Sequence, residues 1–169
     1  MPGQNIDSIQ KFFQSRLETL EHLLETGQSH FSDESWLQKR IVPDMFPLST
    51  QIIFTCNQPY NFSLWCAGKA VENLDPEVKS LAQAHEHIVN TKKLLSEIEV
   101  EDEKLTEDIR LDLGEGLYLD LTGSAYINEF LIPNFYFHLV TAYDILRMAG
   151  VQIGKQDYMI HLMPFVRQE

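Results

Sequence analysis

Apolar positions recur at three- and four-residue steps over four long stretches of the chain, the spacing that turns one face of a helix inward. Ile6, Ile9, Phe13, Leu17, Leu20 and Leu24 step along the first stretch, with Gln10, Lys11, Gln14, Glu18 and Glu21 on the other side. Gly27 is its expected stop. The polar run Gln28 to Ser35 leads into a short helix capped by Asp33, with Trp36, Leu37 and Ile41 inward. In the second stretch Met45, Leu48, Ile52, Cys56 and Leu64 form the stripe. Pro47 fits only a first helical turn, so Asp44 is the expected N-cap; Pro59 kinks the middle and Gly68 ends it. The third opens with Asp75-Pro76-Glu77 and carries Leu81, Ala84, Ile88, Leu95 and Ile98. The fourth runs from Ala125 to Ala149, with Ile127, Leu131, Ala142, Ile145 and Ala149 inward. Asn134 and His138 fall on that same stripe, one turn apart, just past Pro133.

Between the third and fourth stretches the period changes. Glu97 to Asp108 holds seven acids without periodicity and reads as a solvated connector. Ile109, Leu111 and Leu113, then Leu117, Leu119 and Leu121, alternate with polar residues around Gly114-Glu115-Gly116. This predicts a β-hairpin with one leucine face on the helices. After Gly150 the tail reads as mostly extended, and its apolar Tyr158, Met159, Ile160, Leu162, Met163 and Phe165 need covering by this chain or a partner. Four helices with one inward stripe each predict an all-α, four-helix bundle, a single domain over residues 1–169, decorated by a small hairpin before the last helix.

Composition narrows the partners. Of 169 residues 44% are hydrophobic and 22% charged, and the net charge of -12 disfavours nucleic acid and anionic membrane surfaces, both of which reward clustered Lys and Arg. The N-terminus MPGQNIDSIQKFF lacks a basic leader followed by an apolar run, and no segment reaches the roughly 18 apolar residues of a membrane span, so a cytoplasmic protein is expected. Cys56 and Cys66, ten apart on one helix, would be separated by roughly 15 Å and stay reduced thiols.

No glycine-rich phosphate loop, CxxC pair, GxSxG or HExxH is present. The candidate chemistry is therefore a pocket. Pro133 has no N–H and crowds the carbonyl of Glu129, so a bend beside two inward polar residues is expected. With the Pro59 kink opposite, the two proline-bearing helices would splay around a cavity lined by Asn134, His138, Asn57, Gln58, Tyr143 and Asp44. Its one group titrating near neutral pH is His138.

The segments PDMFPL (Pro43 to Leu48), PNFYFH (Pro133 to His138), TAYDILRMAGV (Thr141 to Val151) and GKQDY (Gly154 to Tyr158) resemble a bacterial domain-of-unknown-function family within the DinB/YfiT-like superfamily of proposed metalloenzymes. The resemblance implies a bundle of up-down-down-up order, often a homodimer, with a central site. Superfamily sites hold a divalent metal, zinc or nickel, on three histidines, one from the second helix and two four apart on the last; several members are thiol-dependent transferases or isomerases. On this chain His138 falls at the second histidine of the last helix, while Asn134 stands where the first belongs and Asn57 or Gln58 where the second-helix ligand belongs. Only His138 remains as a good metal ligand, with Cys56 or Asp44 as further donors to consider.

Three readings stay open: a small-molecule pocket without a firmly held metal, a metal-dependent enzyme with a reduced ligand set, and a non-catalytic bundle acting through association. A homodimer is expected from the apolar tail and from Phe12, Trp65 and Phe165 as exposed aromatics.

Overall fold

A capping box on Asn5 starts the first helix in the computed structural model, which describes residues 5–169. The Asn5 side chain accepts from the Ser8 N–H at 2.8 Å, and Ser8 Oγ accepts from the Asn5 N–H at 3.2 Å. The first four residues of the stretch read as lacking a leader lie outside the described residues. Helix α1, Ile6–His30, runs one turn beyond the expected stop. Gly27 is there for contact rather than termination: a Cβ on it would lie 3.0 Å from both Leu146 Cδ2 and the Trp36 ring.

Helix α2, Leu48–Cys66, is the centre of the bundle, and seventeen of its nineteen residues are buried. Its start differs from expectation. Pro47 is the cap and offers no side-chain bond, whereas Asp44 is exposed in the preceding loop, because the Leu48 N–H is already engaged by the Lys39 carbonyl at 2.9 Å. Helix α3, Leu81–Ser96, likewise begins later than Asp75-Pro76-Glu77 suggested. The connector before it is held extended along α2, since the Leu74 and Glu72 N–H groups donate to Asn57 Oδ1 and Asn61 Oδ1 at 2.9 Å each. Ser80 then caps α3.

Strands β1, Asp108–Gly114, and β2, Leu117–Thr122, pair antiparallel in the expected hairpin, with Leu111 opposite Leu119 and a bulge between Asp112 and Gly114. Gly114, Glu115 and Gly116 all have positive φ, so glycine at two of the three turn positions removes most of the steric cost. Leu111 is buried and Ile109, Leu119 and Leu121 pack on the core, while Leu113 and Leu117 stay exposed beyond the helices.

The last rod begins with α4, Gly123–Ala125, passes through a π-helical turn, Tyr126–Leu131, and continues as α5, Ile132–Met148. Pro133 is therefore in the first turn of α5 and not inside a continuous α-helix. A π turn accommodates an extra residue, and a proline at its exit has no N–H to leave unpaired. The tail is not extended: α6, Lys155–Tyr158, and a 3₁₀ segment, Ile160–Phe165, fold back against α1. Tyr158, Met159 and Ile160 are half-buried there, while Leu162, Met163 and Phe165 remain exposed.

Cross-helix contacts fix the order as up-down-down-up. Gln10 Nε2 of α1 donates to the Leu95 carbonyl near the end of α3, so those two are antiparallel. Trp65, at the end of α2, meets Tyr126 just before α5. Gly27, near the end of α1, touches Leu146, near the end of α5. The buried residues of all four helices and Leu111 of the hairpin form one cluster. Each large apolar side chain sealed in it, such as Phe13, Phe62 or Phe135, contributes about 1.5–3 kcal/mol. No helix among the described residues is long and apolar enough to cross a membrane.

Candidate functional site

Along the last rod the sealed stripe is Leu131, Phe135, Leu139, Ala142 and Ile145, so Asn134 and His138, expected on the inner face, lie one position off it, both half-buried. A 3.6-residue period leaves either set within one step of Leu131 and Ala142. Burial of the Phe135 ring is favourable, whereas a carboxamide in the same place costs free energy until it finds partners. The rod is rotated accordingly.

His138 faces α2. Its Nδ1 is 2.8 Å from Gln51 Oε1. Gln51, almost fully buried, is oriented independently: its Nε2 donates to the Phe46 carbonyl at 3.2 Å, which can only accept. The amide oxygen therefore points at the imidazole, Nδ1 carries the proton, and Nε2 presents a lone pair. Burial, with no acid alongside it, lowers the His138 pKa to about 4 and keeps the ring neutral at pH 7. Nε2 has no hydrogen-bond partner among the described residues and is not sealed from solvent. Aromatic rings wall the position: Phe54 and Phe137 meet the imidazole edge-to-face at 5.1 Å each, and Phe46 meets Phe54 at 5.3 Å. Phe46 and Phe137 are 57% and 59% exposed, so the site is a half-open aromatic edge and not a central cavity.

The other expected lining residues do not converge on it. Asn134 Nδ2 donates to the Phe130 carbonyl at 2.8 Å, serving the backbone of the π turn. Asn57 donates to Asn73 Oδ1 and accepts from the Leu74 N–H, fastening the connector. Gln58 Nε2 reaches the Phe54 carbonyl at 3.1 Å within its own helix. A helix buried on nearly every side must satisfy its polar side chains locally, and α2 does so. Tyr143 packs edge-to-face on Tyr158 at 6.0 Å, and Asp44 is exposed. Gln51 is the residue that sequence reasoning missed. Its one signal was a polar side chain beside Ile52 in the first turn of an apolar helix.

Both thiols are buried and unpaired. Desolvation pushes the Cys56 thiol far up and that of Cys66 to about 12, so neither forms a thiolate nucleophile at neutral pH. An open groove of about 720 Å³ lies between the end of α2, the connector and the hairpin. Its polar groups are largely used by the fold: Asn61 holds the Glu72 N–H, Lys104 lies over Trp65 and pairs with Glu107, and Arg110 pairs with Asp120.

Two comparisons place the chain. The family described as "Domain of unknown function (DUF1993)" matches residues 7–159, so the chain belongs to it. The crystal structure of a DinB family member protein from Shewanella denitrificans is similar over 89% of this chain and 88% of that one, with 26% identity and a TM-score of 0.76. No match was found among the curated proteins.

A divalent metal, which the DinB resemblance implies, does not fit this donor set. No group of three or more His, Cys, Asp or Glu among the described residues is arranged to hold one. Asn57, Gln58 and Asn134, which stand where the resemblance puts the other histidines, already serve the connector, the Phe54 carbonyl and the Phe130 carbonyl, and neutral amides are weak donors to zinc.

Proposed function

For this DUF1993 chain with a DinB-type bundle, we propose that the edge where α5 meets α2 recognises a small organic molecule through His138. The observation that carries this reading is the Gln51-oriented imidazole, whose Nε2 lone pair opens between Phe54, Phe137 and Phe46. Such a site suits a ligand with an aromatic or aliphatic body and one hydroxyl or amide N–H donor. An imidazole held neutral down to about pH 4 is a weak base, so recognition is favoured over proton abstraction.

The test is an aromatic-fragment screen, phenols and anilides included, against protein with ¹⁵N-labelled histidine and no affinity tag. The reading expects saturable shifts at His138 Nε2 that persist in chelator and vanish in His138→Ala. Fragments that bind only the hairpin groove, leaving His138 unmoved, would overturn it.

Association into a homodimer is a second reading, supported by exposed apolar residues. Of the aromatics expected to be exposed, Phe12 is half-buried and Trp65 buried, because both pack on the core. Phe165, at 73% exposure, and neighbouring Met163 and Val166 support the reading instead.

A further inference from the structure

The groove beside the hairpin runs between two extended stretches of chain. Seven consecutive residues, Glu107 to Leu113, form one wall, and six, Gly68 to Asn73 of the connector before α3, form the other. A strand points successive side chains to opposite faces, so a wall that takes in every residue in turn is the edge of the strand and not one of its faces. The Gly123 N–H donates to the Glu107 carbonyl at 2.7 Å, and these two residues stand opposite each other in the register that pairs Asp108 with Thr122. Antiparallel ladders alternate, so Ile109 and Leu111 share their backbone bonds with β2, while the N–H and C=O of Asp108 and Arg110 point to the outer edge. Both residues are exposed, and among the described residues no backbone bond crosses from the connector to meet them. An open edge of this kind is a template for a further strand.

The side chains of the groove leave little for a small molecule, because Asn61 holds the Glu72 N–H, Lys104 pairs with Glu107 and Arg110 pairs with Asp120. Main-chain groups remain, and those suit a peptide. Phe130 and Val71 offer half-buried apolar surface on the inner side, next to the nearly sealed Trp65 and Tyr126. Once the two ion pairs are set aside, the charges along the groove are Glu72, Asp108 and Asp112 against Lys69.

We propose that the outer edge of β1 takes up an extended segment of a partner protein as a third strand, its apolar residues on the Phe130 side alternating with lysine or arginine beside Asp108 and Asp112. Main-chain bonds to Asp108 and Arg110 supply the affinity, and the alternation of side chains supplies the selectivity. Opposite charges on neighbouring strands attract and like charges repel, so an acidic strand is disfavoured. At roughly 3.3 Å per residue the wall accommodates a segment of about six or seven residues. The edge lies at the other end of α2 from Gln51 and His138, so the two readings stand independently.

The experiment titrates the full-length, ¹⁵N-labelled protein at pH 7 with a capped heptapeptide of alternating lysine and valine. Asp108 and Arg110 should show saturable amide shifts and slowed hydrogen exchange, and the matching glutamate–valine peptide should produce neither. Methylating the lysine nitrogens of the peptide should abolish binding of an antiparallel strand, and methylating the valine nitrogens that of a parallel one, with the other set immaterial in each case. Asp108→Lys combined with Asp112→Asn should weaken binding at least tenfold; asparagine keeps an acceptor for the Gly114 N–H, which Asp112 Oδ1 now takes at 2.7 Å, so the turn persists. Binding that survives methylation of each set in turn would overturn the proposal, as charge attraction alone. Shifts confined to the His138 edge, or no saturation at millimolar peptide, would overturn it too. So would β1 amide shifts that grow with protein concentration in the absence of peptide, which would assign the edge to a second copy.

Discussion

His138 Nδ1 and Gln51 Oε1, 2.8 Å apart, form a side-chain hydrogen bond between α5 and α2 from residues 87 positions apart in sequence. The bond sets the tautomer of the one histidine on that edge and gives a nearly sealed amide its acceptor role. His138→Ala should leave a helical circular dichroism spectrum but destabilise the protein by about 1–3 kcal/mol, the cost of orphaning Gln51 Oε1, measured by urea unfolding. Gln51→Leu in the His138→Ala background should recover part of that loss. Full additivity of the two changes would show that the bond carries no coupling.

The depressed His138 pKa gives a pH dependence of definite sign. Between its ordinary value of 6.5 and about 4 the unfolded chain binds the proton and the folded chain resists it. Stability from this group is complete above about pH 6.5 and is lost as pH falls toward 4. After allowance for partial solvent access, the unfolding free energy of the wild type relative to His138→Gln should fall by about 1–2 kcal/mol across that window. A pH-independent difference would place the ring in solvent.

Gly123→Ala should be among the more damaging single changes in the hairpin region. Its new Cβ would lie 2.5 Å from the Trp65 ring and 2.9 Å from the Lys104 carbonyl oxygen, and the latter is backbone. Overpacking of this kind costs about 1–3 kcal/mol, and Trp65 should report it as a shifted emission maximum.

Asp157→Asn tests how the tail is held. The carboxylate accepts from the Gly154 N–H at 2.7 Å and pairs with His22, and the hydrogen bond from His22 is the chief cause of its lowered pKa. The variant should show faster proteolytic cleavage after Gly150 and a global stability loss of about 1 kcal/mol or less, since the pair is only partly buried. A tail equally protected in both proteins would assign its docking to Tyr158 and Met159 instead.

Homodimer formation is expected to appear in light scattering as a mass twice 19.6 kDa that is reduced by Phe165→Ser. A monomer at every concentration would leave the exposed tail without that role.

The apolar period along α1, α2, α3 and α5 determined four helices and, for α1 and α3, their inward faces, because burying those residues outweighs any alternative the local chain offers. The switch to alternation at Ile109 and the glycines at 114 and 116 determined the hairpin for the same reason. A 3.6-residue period cannot distinguish two stripes one position apart, so the choice of Phe135 and Leu139 over Asn134 and His138 fell to packing across the bundle. Nor does local sequence fix a helix start that another segment competes for: the Lys39 carbonyl took the Leu48 N–H from Asp44, and Asn57 and Asn61 kept the approach to α3 extended. The pairing of His138 with Gln51 and the meeting of Arg16 with His161 join residues 87 and 145 positions apart. Only the tertiary structure brings such pairs together, since side-chain contact across a bundle depends on the rotation and axial offset of whole helices.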